Sequence, residues 1–179
     1  MRGLGLSVGL LVASLRAILG SWTDFNLWGP TDATLVTNNT SDSTGGANGD
    51  TLSEAATVNV HNISFSAISV VAGQSYTFEV TLAPGTISTA YIGLFDGVVH
   101  SAHLNLATGA IGTTALVLSV TSSNAGLVNG YYRYTMKWVA NTTGIVNLGV
   151  YMTAAAETVS YLGVITNNIK IHTALISKP

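Results

Sequence analysis

Two stretches decide the fold: Val71-Ala72-Gly73-Gln74-Ser75-Tyr76-Thr77-Phe78-Glu79-Val80 and Asn129-Gly130-Tyr131-Tyr132-Arg133-Tyr134-Thr135-Met136-Lys137-Trp138. Each opens on a glycine turn and then alternates apolar with polar residues, the period of a half-buried strand rather than of a helix. In the first, Tyr76, Phe78, Val80 and Leu82 fall on one face, with Thr77, Glu79 and Thr81 opposite. In the second, Tyr132, Tyr134, Met136 and Trp138 share a face.

The same reading extends in both directions. Val58 to Phe65, Ala90 to Phe95, His100 to Leu106, Ala115 to Val120, Ile145 to Tyr151, Tyr161 to Val164 and Ile169 to Ile176 read as strands. Pro84-Gly85, Asp96-Gly97 and Thr108-Gly109 turn the chain between them. Residues 21–56 read mostly as loop, with a short strand at Ala33 to Thr37 and a run of small polar turn formers from Asn38 to Asp50. About nine or ten short strands at such spacing imply an all-β, antiparallel sandwich or barrel. The chain suits a single domain, residues 21–179, preceded by an arm of residues 1–20.

Charge is scarce. Only 8% of residues are Asp, Glu, Lys or Arg, against about 25% in an average soluble domain. Hydrophobic residues make up 47% and the mean hydropathy is +0.45. So few charges protect a free monomer poorly against association, so the surface is expected to be covered with Ser, Thr and Asn, to be buried against other subunits, or both. The net charge of −2 and the scattered Lys and Arg give no electrostatic footprint for nucleic acid. The absence of cysteine removes disulfides, thiolate metal sites and a cysteine nucleophile.

Gly3 to Leu15 is apolar or small throughout, between Arg2 and Arg16. Leu4, Val8, Leu11, Leu15 and Ile18 have helical spacing, as expected of an arm that docks on a partner protein. A secretory signal peptide ending at Gly20-Ser21 is the alternative, with Arg16 against it. The run falls short of the roughly 20 residues a membrane span needs. Trp22, Phe25 and Trp28 follow as an aromatic cluster expected to tie the arm to the domain or to a neighbour.

Several segments, in order, resemble a known module. They are Asn48 to Glu54, His61 to Phe65, Ser69 to Phe78, Leu104 to Ala110, and Asn129-Gly130-Tyr131-Tyr132-Arg133, where Tyr131 stands in place of a usual Trp. From about Trp28 to Met152 the chain resembles the carbohydrate-binding-module-like jelly roll that tailed phages carry on head and tail appendages. The resemblance implies an antiparallel β-sandwich of jelly-roll type with an extended or helical N-terminal arm. It further implies a structural virion protein (capsid decoration, head fibre or spike, or tail appendage) that contacts other virion proteins through the arm. Assembly as a homo-oligomer, a trimer, with weak multivalent binding of host-surface glycans, is the expected mode. The alternative is a secreted or cell-surface carbohydrate-binding module, with residues 1–20 as its signal peptide. No cofactor is expected. Related jelly rolls can hold a structural calcium, and Asp42, Asp50 and Glu54 lie in a suitable acidic turn region.

No catalytic site is expected. Gly5-Leu6-Ser7-Val8-Gly9 has the letters of a nucleophile elbow but no strand before it. The acids Glu54, Glu79, Asp96 and Glu157 show no paired spacing for general acid–base work. His100 and His103, three apart on a strand, point to opposite faces and cannot chelate one metal without a bulge; with Asp96 they could instead form a metal- or sugar-binding loop. His61 and His172 are expected on strands, facing solvent or an interface. A glycan site, if built near the Asp96-Gly97 turn, would use Tyr91, Phe95, Asp96 and His100.

Overall fold

The computed structural model describes residues 17–154 and 158–179. In chain order the strands are β1 (Ala17–Trp22), β2 (Gly29–Thr31), β3 (Ala33–Thr40), β4 (Gly49–Glu54), β5 (Val58–Val70), β6 (Ser75–Pro84), β7 (Thr89–Phe95), β8 (Val99–Asn105), β9 (Ile111–Ala115), β10 (Ser119–Ser123), β11 (Tyr132–Val139), β12 (Gly144–Met152), β13 (Ser160–Leu162) and β14 (Asn168–Lys178). No helix occurs among the described residues. Sheet A has the order β10-β11-β6-β14-β4-β3, with β1 also on β14. Sheet B has the order β13-β5-β12-β7-β8-β9, with β2 also on β5. The pairings are antiparallel, and the two sheets close into a jelly-roll sandwich.

The alternation in the two opening stretches is what builds the core. Tyr76, Phe78, Val80 and Leu82 of β6 are buried, and the register sets Trp138, Met136 and Tyr134 of β11 beside the first three. The Tyr76 and Trp138 rings stack at 5.5 Å. Ile92 and Leu94 of β7, Ala102 and Leu104 of β8, and Leu148 and Val150 of β12 supply the opposing layer. Burial pushes the Tyr131 and Tyr134 hydroxyls above the usual phenol range. Truncating one large aromatic in such a core costs about 3–5 kcal/mol.

Leu4, Val8, Leu11 and Leu15 of the expected arm, the Gly5–Gly9 motif and Glu157 lie outside the described residues. Ile18 does not continue a helix: it sits on β1, opposite Ser177 of β14, and is exposed. β1 itself runs across the position chosen for the arm's end. Trp22, Phe25 and Trp28 are core residues grouped around Phe65, with Trp22–Trp28 at 5.4 Å, Phe25–Trp28 at 5.2 Å and Trp22–Phe65 at 4.8 Å.

Other expectations need correction. Residues 21–56 are not mostly loop, since β2, β3 and β4 occupy them. Their polar residues gave no alternating signal because Asp50 and Glu54 are buried and bonded internally. Ala115 to Val120 is not one strand. The chain leaves β9 of sheet B, passes Leu116 at φ 50°, and enters β10 of sheet A. His61 and His172 face the interior rather than solvent. His61 is fully buried, with Nδ1 2.6 Å from Asp32 O and Nε2 3.2 Å from Tyr161 O. His172 sits at the bulge of β14 with Nδ1 2.6 Å from Ser43 Oγ.

Candidate functional site: the outer face of sheet B

Strand alternation that turns Ile92 and Leu94 inward turns Tyr91, Gly93 and Phe95 outward. Register then assembles three rows across the sheet. Tyr91 lies between Tyr151 of β12 and His103 of β8. Gly93 lies between Gly149 and Ser101, and Phe95 between Asn147 and Val99. Ser64 on β5 and Ala115 on β9 extend the middle row to five small residues, roughly 19 Å long at the usual strand spacing. One side of this row is a wall of rings, with Tyr91–Tyr151 at 5.1 Å and Tyr91–His103 at 4.9 Å, both edge to face. The other side is Phe95 and Val99, 55% and 47% exposed, with Asn147.

The two central glycines are required by the tyrosines. A Cβ on Gly93 would stand 2.5 Å from Tyr91 Cε1, and one on Gly149 would stand 2.5 Å from Tyr151 Cε2. Each ring therefore leans over the bare backbone of the glycine two residues along its own strand. The result is a shallow depression of about 150 Å³ lined by Tyr91, Phe95, Val99, Asn147 and Tyr151, with no charged side chain among the described residues that line it. Burial, then Tyr91, pushes the Tyr151 hydroxyl up, so it stays a neutral donor. His103 Nδ1 is buried without a hydrogen-bond partner. Stacking surface, hydroxyl and amide groups and no charge suit the apolar C–H faces and hydroxyls of a neutral sugar.

The structure divides the four residues expected at the site. Tyr91 and Phe95 face the depression. Asp96 and His100 are each 3% exposed and lie in the interior at the end of the sandwich. His100 pairs with Leu94, on the inward side. Its Nε2 is 2.9 Å from Asp96 Oδ1, and its Nδ1 bonds Leu116 O. Asp96 Oδ2 accepts from Asn141 N at 2.7 Å, and Asp96 O accepts from Thr142 Oγ1 at 2.6 Å. The pair thus fastens the β7–β8 hairpin to the β9–β10 and β11–β12 connections. The outward histidine is His103, whose opposite facing from His100 follows from strand parity alone. Tyr151 and Asn147 escaped sequence reasoning because they join Tyr91 only through cross-strand register, and His103, considered with His100 and Asp96, falls outside the expected glycan site for the same reason.

Two further clusters have the composition of chemistry without its geometry. Ser43 Oγ is 2.6 Å from His172 Nδ1, and His172 Nε2 is 4.0 Å from Asp42 Oδ2. All three residues are buried, and the Ser43 amide also points at Nδ1. The Asp42 carboxylate is filled by the Thr44 hydroxyl and the amides of Thr44, Gly46 and Asn48. A nucleophile needs access to substrate and a free base, and neither exists there. The three acids considered for calcium are likewise apart in function. Glu54 accepts from Tyr161 Oη, Val164 N and Asn167 Nδ2, while Asp50 Oδ1 accepts from Asn38 N at 2.8 Å. No three His, Asp or Glu side chains gather as metal ligands among the described residues.

No protein-family model matches the chain, and no curated protein matches it. Solved structures do. The chain is similar to the CBM22-1–GH10 modules of Clostridium thermocellum xylanase 10B, determined with xylohexaose, at a TM-score of 0.53 and 13% identity. That match covers 92% of this chain and 29% of the xylanase chain. It is also similar to the C-terminal CBM6 of the laminarinase LamC of Zobellia galactanivorans (TM-score 0.48, 13% identity, 89% of this chain and 100% of that one). Tailspike protein 4 of bacteriophage CBA120 matches at a TM-score of 0.48 and 13% identity, over 88% of this chain and 20% of that chain. At such identities the likeness is one of fold: this chain has the jelly-roll sandwich found in carbohydrate-binding modules.

Proposed function

We propose that this chain is a non-catalytic carbohydrate-binding module whose ligand is an uncharged glycan lying across the outer face of sheet B. The observation that carries the reading is the cross-strand ring wall Tyr151–Tyr91–His103 beside the uncharged depression. Tyr91 and Tyr151 supply the stacking surface. Asn147 lines the depression beside them, and His103 completes the ring wall. Shallow sites of this kind bind weakly one at a time and gain from multivalency. Display in several copies on a phage appendage, as a trimer, fits the sequence resemblance and the 8% charge content. As an anchor, the segment before Ala17 fits better than residues 1–20. A cut at Gly20-Ser21 would remove Ala17, Ile18 and Gly20, the partners of Lys178, Ser177 and Ile176. That supports the appendage over the secreted module.

The test is a neutral-glycan array probed with the full chain and with Tyr91→Ala and Tyr151→Ala, alongside light scattering of the full chain and of one starting at Ala17. Each variant loses about tenfold in affinity, close to 1.4 kcal/mol, and both lengths scatter as the same trimer. Undiminished binding by both variants would sink the site. A monomer at both lengths would sink the multivalent display.

A further inference from the structure

The outer face of sheet A differs in kind. All four Lys and Arg among the described residues lie on its strands: Arg133 and Lys137 on β11, Lys170 and Lys178 on β14. Three of them project outward by strand parity, on the side opposite the buried Tyr134, Met136, Ile169 and Ile171. Arg133 and Lys137 are exposed, and Lys170 is half-exposed. The ion pairs Asp96–His100 and Asp42–His172 involve none of these three cations.

Around the cations most outward residues carry hydroxyls, although Thr77, Thr81 and Ser177 among them are buried. One row runs Ser123–Arg133–Thr81–Thr173 and the next Thr121–Thr135–Glu79–Leu175–Ser21. A third begins Ser119–Lys137–Thr77–Ser177. Lys170 stands one row beyond Arg133, beside Ala83. Strand geometry spaces Arg133 about 13 Å from Lys137 along β11, and about 12 Å from Lys170 across the sheet. A groove of about 240 Å³ runs beside the guanidinium, lined by Arg133, Glu79, Thr81, Thr173, Leu175 and Ser21.

We infer that the outer face of sheet A is a second binding surface, for an anionic polysaccharide bearing carboxylate groups. Arg133 takes a carboxylate bidentately in the groove. Lys137 and Lys170 meet charges further along or beside the polymer, and the hydroxyls of exposed Ser21 and Thr121 and of half-buried Thr135 and Thr173 meet its sugar hydroxyls. The alternative of nucleic acid is the poorer fit. Such binding neutralises many closely spaced phosphates and stacks bases on aromatic rings. This face has three widely spaced cations, and Trp22, which also lines the groove, is buried with its ring packed on Trp28 and Phe65 rather than open for stacking. The surface is separate from the depression on sheet B, so either reading stands or falls without the other.

The experiment is affinity electrophoresis of the full chain in gels containing polygalacturonate, with dextran and a single-stranded oligonucleotide as companions, at low and high salt. The probe protein is compared with the double variant Arg133→Gln plus Lys137→Gln and with Tyr91→Ala. Both cations are exposed, so thermal melting confirms that the double variant keeps its fold. The expected result is retention by polygalacturonate that falls about tenfold in the double variant, is lost at high salt and is unchanged in Tyr91→Ala. No retention at low salt overturns the inference, as does a loss confined to Tyr91→Ala. Equal or tighter retention by the oligonucleotide overturns it in favour of a nucleic-acid surface.

Discussion

At the centre of the outer face of sheet B, Tyr91 stands between Tyr151 and His103; at the centre of the outer face of sheet A, Glu79 stands between Thr135 and Leu175. The inner faces of the same strands are alike, close-packed rows of Ile, Leu, Val and aromatic residues. Burial dictates the inner faces, because one exposed apolar row or one unpaired buried charge would cost several kcal/mol. It leaves the outer faces open, and there the two sheets part: rings, glycines and, among the described residues, no charge on one, hydroxyls, cations and Glu79 on the other. In a chain with 8% charged residues, placing every described Lys and Arg on one sheet is a strong asymmetry. The fold supplies two unlike surfaces from one core, which is why the likeness of fold leaves the ligand to be argued from the residues.

The strongest way to break the comparison is to loosen one face at its root. Asp96 receives His100 Nε2 and Asn141 N in a site closed to solvent. Asp96→Ala leaves both donors buried without acceptors and should cost about 3 kcal/mol of stability, read by denaturant unfolding. Because the pair holds the hairpin bearing Phe95 and Val99, neutral-glycan binding should fall with it while polygalacturonate retention persists. Equal loss of both ligands would show that the faces are not independent.

The inner faces were legible in the sequence. Tyr76, Phe78, Val80 and Leu82 and the row Tyr132 to Trp138 alternate strictly, and period two has one structural meaning over such lengths. Tyr91 and Phe95 were legible for the same reason, being on one parity of one strand. Their partners were not. Tyr151 and His103 meet Tyr91 through register, which depends on turns and bulges 12 to 60 residues away, in effect on the whole sheet. His100 drew attention because it follows Asp96 by four residues, and that proximity reflects a buried tie rather than a site. The buried histidines were illegible for a related reason. His61 and His172 satisfy their ring nitrogens on Asp32 O, Tyr161 O and Ser43 Oγ, all distant in the chain.

A smaller change sharpens the comparison without touching the core. Gly93→Ala sets a methyl where Tyr91 Cε1 now lies, 2.5 Å away, and the ring must move. Backbone conformation is no obstacle, so stability should change by less than about 1 kcal/mol, while neutral-glycan affinity falls about tenfold. A matching loss with Gly149→Ala, through Tyr151, would show that the tilt of both rings over the glycine row is what the ligand reads. Unchanged affinity in both would mean that only ring presence counts.

The smallest expected effect lies in the loop that closes the end of sheet A, between β3 and β4. The Thr44 hydroxyl, followed by the amides of Thr44, Gly46 and Asn48, holds the Asp42 carboxyl well below the usual carboxylate range, against the opposing pull of burial. A depressed value in the folded state means that the ionised form favours folding. That contribution is complete above the ordinary aspartate value near 3.9 and is lost progressively as pH falls below it. Asp50, buried and lacking a partner for Oδ2, is shifted the opposite way by burial, so its ionisation opposes folding above its raised value. Thermal melting of Asp42→Asn should therefore lie below the unsubstituted chain at pH 7, with the gap closing as the pH drops through the acidic range, while Asp50→Asn should melt no lower than the unsubstituted chain at pH 7. Neither substitution touches Tyr91 or Arg133, so both ligands should bind as before; a shift in either affinity would mean that the β3–β4 loop communicates with a face, and the two surfaces would then have to be treated as one.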